Sequence, residues 1–415
     1  MRIAIIGGGA SGMAAALQSA WRGAETTVFE RNALLGRKLL LTGSGRCNVT
    51  NDGAAAGKYT CADPDWMTAL LAGFGVQALR GMLEKIGILL YRTEDGWYYP
   101  LSNSAQSVVD AFTAALTIAG VTIQYSSQVV SITRSGAGLV IHRFAPDGKK
   151  EEPFDRAIVA AGGKAYPKLG SRGELFPELE RLGHTVIPKR PALAPVLAEL
   201  KAWKALQGVR LDAGVVLWDG TDRVASAAGN LIVTGWGLNG PAVMDISHHI
   251  SARPGRKLVL SLDLLHFFDA EFRGLLLRQR KTRMPVRILL GAFLPPKVAS
   301  FYPPAAGIPA DTPLESIDDR SLQKLVDSLR DTRLAVLGVR EFEYCQLSAG
   351  GVPVTEADPH TLESRLVNGL YLTGETLDVV GPCGGYNLQF AFASGALAGA
   401  AAAGRPAARN PLPRG

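Results

Sequence analysis

Gly7, Gly9 and Gly12 are spaced as G-x-G-x-x-G within Gly7-Gly8-Gly9-Ala10-Ser11-Gly12, and the chemistry that spacing serves is the holding of a pyrophosphate. Gly7 permits a tight turn. Gly9 lets backbone come close to a phosphate. Gly12 lets a helix pack against a sheet. Ala10 and Ser11 would stand in the first turn of that helix, where unpaired N–H groups and a partial positive charge favour an anion. Glu30 lies 18 residues beyond Gly12, where an acidic side chain can bind ribose hydroxyls, and Arg31 follows it.

These residues need a strand, a helix and a second strand to place them. Arg2-Ile3-Ala4-Ile5-Ile6 suits a buried parallel strand. Met13 to Ala20 has the composition of a helix, and Thr26-Thr27-Val28-Phe29 ends a second strand at Glu30. Such a unit fits NAD or FAD equally. The next segment separates them. Arg37 and Lys38 can neutralise pyrophosphate, and Thr42-Gly43-Ser44-Gly45-Arg46-Cys47-Asn48-Val49-Thr50-Asn51 is a polar, glycine-rich loop that can wrap an extended, buried cofactor. A nicotinamide domain would normally continue with another strand and helix here.

Further along, Arg156 to Ala161 reads as a buried strand ending in Gly162-Gly163, where glycines allow a dinucleotide to approach. Gly369 to Thr373 reads the same way, with Gly374, Glu375 and Asp378 at its carboxyl end. Gly384-Gly385 then opens a helix through Ala391. Val121–Tyr125, Gln128–Ile132 and Leu139–His142 are expected to form a small antiparallel meander. Between the cofactor segments the texture changes. Val209–Leu217 and Leu258–Leu264 alternate with period two, as antiparallel strands of a small barrel do. His266–Met284 and Ser321–Leu329 read as helices, with Pro285, Pro295, Pro296, Pro303 and Pro304 as breakers. The expected fold class is α/β: a Rossmann-type FAD-binding domain, split in sequence, with an inserted antiparallel β-barrel-like domain and a small helical subdomain. The expected boundaries are 1–192 and 351–408 for the FAD-binding domain, 193–264 and 335–350 for the barrel, 265–334 for the helical insert, and 409–415 for a flexible tail.

The chain resembles the bacterial NAD(P)/FAD-dependent oxidoreductases of the YhiN or BaiN type, some of which carry the name aminoacetone oxidase family. The resemblance rests on the glycines with Glu30, on Gly36-Arg37-Lys38 and the Thr42–Asn51 loop, and on Ala160-Ala161-Gly162-Gly163-Lys164-Ala165-Tyr166-Pro167. It continues through Gly183-His184-Thr185 with Pro191-Ala192-Leu193, Gly237-Leu238-Asn239-Gly240-Pro241, Gly350-Gly351-Val352, and Thr361–Arg365. It closes on Gly374–Asp378 and Gly384-Gly385-Tyr386-Asn387-Leu388-Gln389. It implies bound FAD contacted by Thr42, Gly43, Gly45, Arg46, Cys47 and Asn48, with adenine near Val129. It implies further contacts from Ala161, Gly162 and Gly163, with ribityl or phosphate groups at Asp378 beside Gly374 and Glu375. The flavin's pyrimidine edge would face Gly385, Tyr386, Asn387 and Leu388. Departures from the family pattern fall at Ser44, Arg172-Gly173-Glu174, Thr234-Gly235 and Asn239, on the substrate side.

Flavin supplies redox chemistry, so the protein needs only to orient substrate, tune the ring and guide protons. Cys47, Arg46 and Tyr166 are the catalytic candidates. The expected activity passes electrons from NAD(P)H or an organic donor through FAD to a small-molecule acceptor. No second G-x-G-x-x-G follows a later strand, so reduced nicotinamide would bind only transiently. A flavin-loaded redox sensor is the alternative from another class. An RNA-modifying flavoprotein is a third reading, prompted by the basic stretch Arg273, Arg278, Arg280, Lys281, Arg283 and Arg287; no aromatic residue interrupts it, so a solvated helix face is preferred and no nucleic-acid partner is expected.

The remaining composition bounds the class. The chain has 415 residues, net charge +7 and 47% hydrophobic residues, enough for two or three domains. No apolar run reaches the roughly 18 residues of a membrane span, and the Ala-, Gly- and Ser-rich stretch 391–404 reads as a close-packed helix. No signal peptide is expected, and the cytoplasm is the expected compartment. Cys47, Cys61, Cys345 and Cys383 form no C-x-x-C pair, so no metal is expected. His248 and His249, on an expected strand, would point to opposite faces. His184 is expected to cap a helix end. The tail Arg405–Gly415 is expected to be poorly ordered. Substrate, electron donor and oligomeric state are not encoded in any motif.

Overall fold

The computed structural model of the chain describes residues 1–136 and 138–404. The expected tail at 405–415 lies outside them. The chain forms two compact units, Met1–Arg190 with the chain from Leu347 onward, and Pro191–Gln346.

The first unit is built on five strands: β1 (Arg2–Ile6), β2 (Glu25–Phe29), β3 (Thr122–Gln124), β4 (Arg156–Val159) and β5 (Leu370–Leu372), in the order β5-β4-β1-β2-β3. All neighbours pair in parallel. A parallel sheet is covered on both faces, which is why these strands are near-continuous apolar runs. Ile3, Ile5, Val28, Ile158, Leu370 and Leu372 are all buried. Helix α1 (Ala10–Ala20) leaves the carboxyl end of β1, and α2 (Tyr386–Ala402) packs along it. Small residues make that packing possible. A Cβ on Gly395 would lie 2.0 Å from the Ser11 carbonyl oxygen, and one on Gly399 would lie 2.2 Å from that of Ala15. The close-packed helix expected at 391–404 is thus observed. On its flank Phe392 stacks on Phe112 with centroids 5.5 Å apart.

One strand departs from expectation. Residues 122–124 do not join the meander but extend the parallel sheet beside β2. The meander consists instead of Gln128–Ser135, Gly138–Ala145 and Gly148–Phe154. The last segment escapes sequence reasoning because Gly148-Lys149-Lys150-Glu151-Glu152 is polar and lies on an exposed edge, with no apolar alternation to read.

The second unit holds a closed six-stranded barrel of Val196–Ala198, Arg210–Asp219, Asp222–Val233, Gly237–Asn239, Leu258–Asp263 and Thr332–Val339, all antiparallel neighbours. Leu211, Ala213, Val215, Leu217, Leu260 and Leu262 are its buried, inward set. Helices Asp269–Gln279, Val286–Gly291, Pro296–Ala305 and Asp319–Arg330 form the helical part. Pro296 starts a helix rather than breaking one, because a first-turn proline has no N–H to waste. Pro303 and Pro304 sit in that helix's last turn, two residues and one residue from its end.

Candidate functional site

Four segments meet at the carboxyl ends of β1, β4 and β5. At β1 the glycine motif performs three different tasks. A Cβ on Gly7 would fall 2.4 Å from the Ala160 carbonyl oxygen, so the turn must pass against β4 there. A Cβ on Gly12 would fall 1.9 Å from the Gly7 carbonyl oxygen, so the helix closes on its own turn. A Cβ on Gly9 would meet no protein atom within 4 Å. Gly9 also caps α1 without any side-chain cap, and no acidic residue stands in the first turn. The N–H groups of a helix start are thereby left facing open space, the arrangement that receives an anion.

Glu30 is buried beside this turn. Its Oε2 accepts from Gly8 N at 2.8 Å and its Oε1 from Asn32 N and Nδ2, both at 2.7 Å. Arg37 donates to Asn32 Oδ1 at 2.7 Å, and Arg31 pairs with Glu174. Sequence reasoning missed Gly8 and Asn32. Asn32, two residues past an acidic strand end, was the available signal, since short amides there bond neighbouring backbone and side chains. Val129 is buried in the meander, two residues beyond Ser127, whose N–H bonds the Glu30 carbonyl at 2.8 Å.

Lys38 does not stand free for a phosphate: it forms an ion pair with Glu375. Glu375 also accepts from Ser348 N at 3.2 Å, and Ser348 Oγ accepts from Lys164 N at 2.9 Å. Gly163 permits this, since a Cβ there would lie 2.0 Å from Ser348 Oγ. Asp378 accepts from Gly350 N at 2.7 Å. Gly374, at φ +58, would place a Cβ 2.8 Å from Ser11 Oγ. The sequence motifs 161–163 and 374–378 are thus brought to α1, while Ser348 carried no sequence signal.

The loop 42–48 is folded by unusual backbone. Gly43, Ser44, Gly45 and Cys47 all have positive φ, and for Ser44 and Cys47 this is strained. The loop lies under the start of α2: a Cβ on Gly385 would fall 2.5 Å from the Thr50 carbonyl oxygen and 2.8 Å from Asn48 Oδ1. Asn48 is buried, and its Oδ1 has no hydrogen-bond partner among the described residues. A buried acceptor without a donor is costly, about 1–3 kcal/mol. It points to a donor that comes with a ligand. The Asn387 side chain is spent on the loop before it, accepting from Gly381 N and donating to the Gly381 and Pro382 carbonyls, so only its backbone remains for a ligand. Tyr386 is likewise buried, with its carbonyl accepting from Tyr59 at 2.9 Å.

The catalytic candidates fare unequally. Cys47 is fully buried, and burial pushes its thiol up to about 12. Such a thiol stays protonated at neutral pH and is a poor nucleophile, which favours packing over chemistry for Cys47. Arg46 is exposed, with its guanidinium 4.6 Å above the Tyr99 ring. Tyr166 is half-buried at φ +54, capping the short turn Pro167–Leu169. His184 is no exposed cap. It is buried, with Nδ1 2.8 Å from Glu356 and Nε2 2.9 Å from Ser364 Oγ. Ser364 Oγ already accepts from Leu366 N and Val367 N, so its hydrogen goes to Nε2, and Nδ1 carries the ring proton toward Glu356. His248 and His249 lie in a short helix, Ser247–Ser251, with rings 4.0 Å apart, because the apolar pattern around them was too short to fix a period. Among the described residues no group of three metal-ligating side chains forms, and no helix is long and apolar enough to cross a membrane.

The family profile described as HI0933-like protein Rossmann domain matches residues 1–401. The chain belongs to the HI0933-like family. A curated relative, 3-dehydro-bile acid delta(4,6)-reductase of Clostridium scindens, is 36% identical over 98% of this chain and 100% of its own. Another, ribosomal RNA dihydrouridine synthase of Escherichia coli, is 30% identical over 94% of this chain and 95% of its own. The resemblance read from the motifs is met. Among solved structures, the 3-ketosteroid Δ4-(5α)-dehydrogenase of Rhodococcus jostii RHA1 matches with TM-score 0.52 and 15% identity, covering 97% of this chain and 96% of that one. The 3-ketosteroid Δ1-dehydrogenase of Sterolibacterium denitrificans matches with TM-score 0.54 and 11% identity, covering 97% and 99%. These two likenesses support the fold alone. The expected absence of a nucleic-acid partner is weakened by the name of the Escherichia coli relative. Both curated relatives are enzymes by name, so the sensor alternative is not favoured.

Proposed function

We propose that this HI0933-like protein is an FAD-dependent oxidoreductase that reduces a carbon–carbon double bond conjugated to a ketone in a small polycyclic substrate. The observation that supports the cofactor is a pair of features on the chain's own motifs: a helix start at which a Cβ on Gly9 would meet no protein atom within 4 Å, and the buried, unpartnered Asn48 Oδ1 under Gly385. The first suits a pyrophosphate. The second suits an N–H donor on a flavin's pyrimidine edge. The substrate class follows the reductase relative, which the chain matches over its whole length.

In this reading Gly7, Gly9, Ala10, Ser11 and Gly12 hold the pyrophosphate, Glu30 holds ribose hydroxyls, and Val129 borders the adenine. Arg37 supplies positive charge nearby, while Arg31 and Lys38 border the site with their charges already paired to Glu174 and Glu375. Thr42, Gly43, Gly45, Arg46, Cys47 and Asn48, with Gly385, Tyr386, Asn387 and Leu388, surround the ring, and Ala161, Gly162, Gly163, Gly374, Glu375 and Asp378 border the linker. Bound FAD supplies the two-electron redox chemistry, with NAD(P)H as transient reductant. The N–H groups at the start of α2 favour negative charge on the pyrimidine edge. Arg46, exposed above Tyr99, orients substrate, and Tyr166 is the proton donor. Segments 1–192 and 351–408 make up the FAD-binding domain in this reading, 193–264 and 335–350 the inserted barrel-like domain, and 265–334 the helical subdomain.

An anaerobic absorbance spectrum of the purified protein, before and after NADH and then NADPH, tests this. Flavin bands that bleach with either nucleotide and recover on adding a steroid dienone are expected. Bands that never form, even after incubation with FAD, defeat the cofactor assignment. Bands that persist in both nucleotides defeat the reductant.

A second reading, RNA as substrate, is favoured by the name of the Escherichia coli relative. The basic stretch gives it little support. Arg273, Arg280, Arg283 and Arg287 are paired with Asp269, Asp319, Glu315 and Asp311. Salt-sensitive co-purification of ribosomal RNA would favour it.

A further inference from the structure

We propose that Asn32 is a positioning residue that joins the ribose-binding carboxylate of Glu30 to a strap, residues 163–174, closed across the glycine turn of β1; this deepens the FAD reading above and rests on it. The amide of Asn32 has its two ends assigned by its neighbours. Its Oδ1 accepts from Arg37 at 2.7 Å, and its Nδ2 donates to Glu30 Oε1 at 2.7 Å and to the Leu169 carbonyl at 3.2 Å. A guanidinium can only donate and a carboxylate can only accept, so the amide cannot turn over. The backbone N–H of Asn32 adds a second bond to the same Glu30 oxygen, and Gly8 N holds the other oxygen. A carboxylate offers about four acceptor positions, so the protein fills most of them and leaves the rest in a fixed plane. Fixed, unspent acceptor capacity is what a ribose hydroxyl requires.

The Leu169 carbonyl on that amide belongs to the strap. After β4 the chain brings Gly170 against the residues that follow β2: a Cβ on Gly170, at φ +108, would lie 2.5 Å from Asn32 Nδ2 and 3.2 Å from Arg31 Cδ. The next residue, Ser171, donates to the Gly163 carbonyl at 3.0 Å. Residues 170–171 therefore bridge the chain that follows β4 and the chain that follows β2. β1 lies between those two strands in the sheet, and the Gly7–Gly9 turn leaves its carboxyl end. The bridge thus spans the side of the sheet on which the start of α1 is open to an anion. Its far end is latched. Arg31 pairs with Glu174 and donates to the Gly170 carbonyl at 3.3 Å, and Gln128 donates to Glu174 at 3.3 Å. The ion pair is partly exposed, and polar contacts of that kind open locally at little cost. One amide nitrogen of Asn32 holds both Glu30 and the strap, so opening the strap loosens the ribose carboxylate and closing it restores the carboxylate's plane. FAD enters through that opening.

The test uses the full-length protein freed of flavin and mixed with FAD, or with an FAD analogue whose adenosine ribose lacks both hydroxyls. Stopped-flow flavin fluorescence reads association and dissociation. The native protein is expected to bind FAD more tightly than the analogue by about tenfold or more, the scale of a hydrogen bond to a charged group. In N32A that ratio falls toward one, and FAD both associates and dissociates faster. In E174Q, which weakens only the strap's latch, both rates rise about two- to fivefold while the ratio is kept. Faster association is the decisive sign, because a residue that merely stabilises the bound state acts on dissociation. A native ratio near one overturns the joint between carboxylate and strap. So does N32A with the native ratio, or E174Q with unaltered association. Should N32A not fold, the native ratio and E174Q decide. Each of these outcomes leaves FAD bound and the oxidoreductase reading standing. A protein that takes up neither flavin defeats that reading and the joint together.

Discussion

Two glycine-rich regions of one unit use the same residue to opposite ends. Around Gly395 and Gly399 the missing side chain lets α2 touch the backbone of α1, and nothing else fits. At Gly9 and Gly45 a Cβ would meet no other protein atom within 4 Å. The first region is finished by the polypeptide. The second is left for something the polypeptide does not supply. Composition does not separate them, since both read as Gly with Ala and Ser.

The comparison breaks most directly at the helix crossing. Gly395→Val should prevent native packing, because its Cβ would start 2.0 Å from a backbone oxygen that cannot rotate away. Overpacking of this kind costs about 3 kcal/mol or more. Loss of the cooperative thermal transition and of soluble yield is expected, and a native-like Tm would refute the crossing. Gly9→Val should do the reverse: the apo protein keeps its Tm, but flavin retention falls to background. A yellow Gly9→Val protein would show that the open space is not the pyrophosphate's.

His184→Gln sharpens the contrast from the closed side. It leaves Glu356 and Ser364 with an ill-fitting partner in a buried place, at a cost of about 1–3 kcal/mol. Urea denaturation reads this as a lower midpoint with flavin binding per folded molecule unchanged. Lys189 gives a smaller, pH-dependent effect. Burial lowers its amine from 10.5 to about 8, so between these values the unfolded chain binds more protons than the folded one. Stability from this group therefore rises as pH goes from about 8 toward 10.5, and the penalty is fully present below. Lys189→Met should flatten the Tm–pH profile in that window; an unchanged slope would place the penalty elsewhere. The smallest effect is expected at Cys47. Cys47→Ser should keep most of the bound flavin, and in the native protein the buried thiol should be alkylated at pH 8 more slowly than that of half-buried Cys61, which burial also raises. Rapid labelling of Cys47 would show that the loop opens.

Much of the first unit was legible because its signals are local. A five-residue apolar run, a glycine triplet and an acid at the next strand end each follow from backbone sterics over a few residues. Alternation likewise announced the barrel strands at 210–219 and 258–263. Signals failed where a neighbour supplied the reason. Residues 122–124 became a parallel strand because β2 had a free edge, and 148–154 became a strand despite a polar sequence because 138–145 offered one.

By itself, then, the sequence determined the nucleotide-binding motif, the return of the cofactor segments after the insert, and the family. Only the tertiary structure decided which candidates are free to act. Lys38 is bound to Glu375, His184 is locked between Glu356 and Ser364, Cys47 is buried, and Asn48 keeps an acceptor without a donor. The physical reason is that a motif fixes the shape of the backbone over a turn or two. The charge and exposure of a side chain depend on partners that, for these residues, come from distant parts of the chain as often as from its own loop.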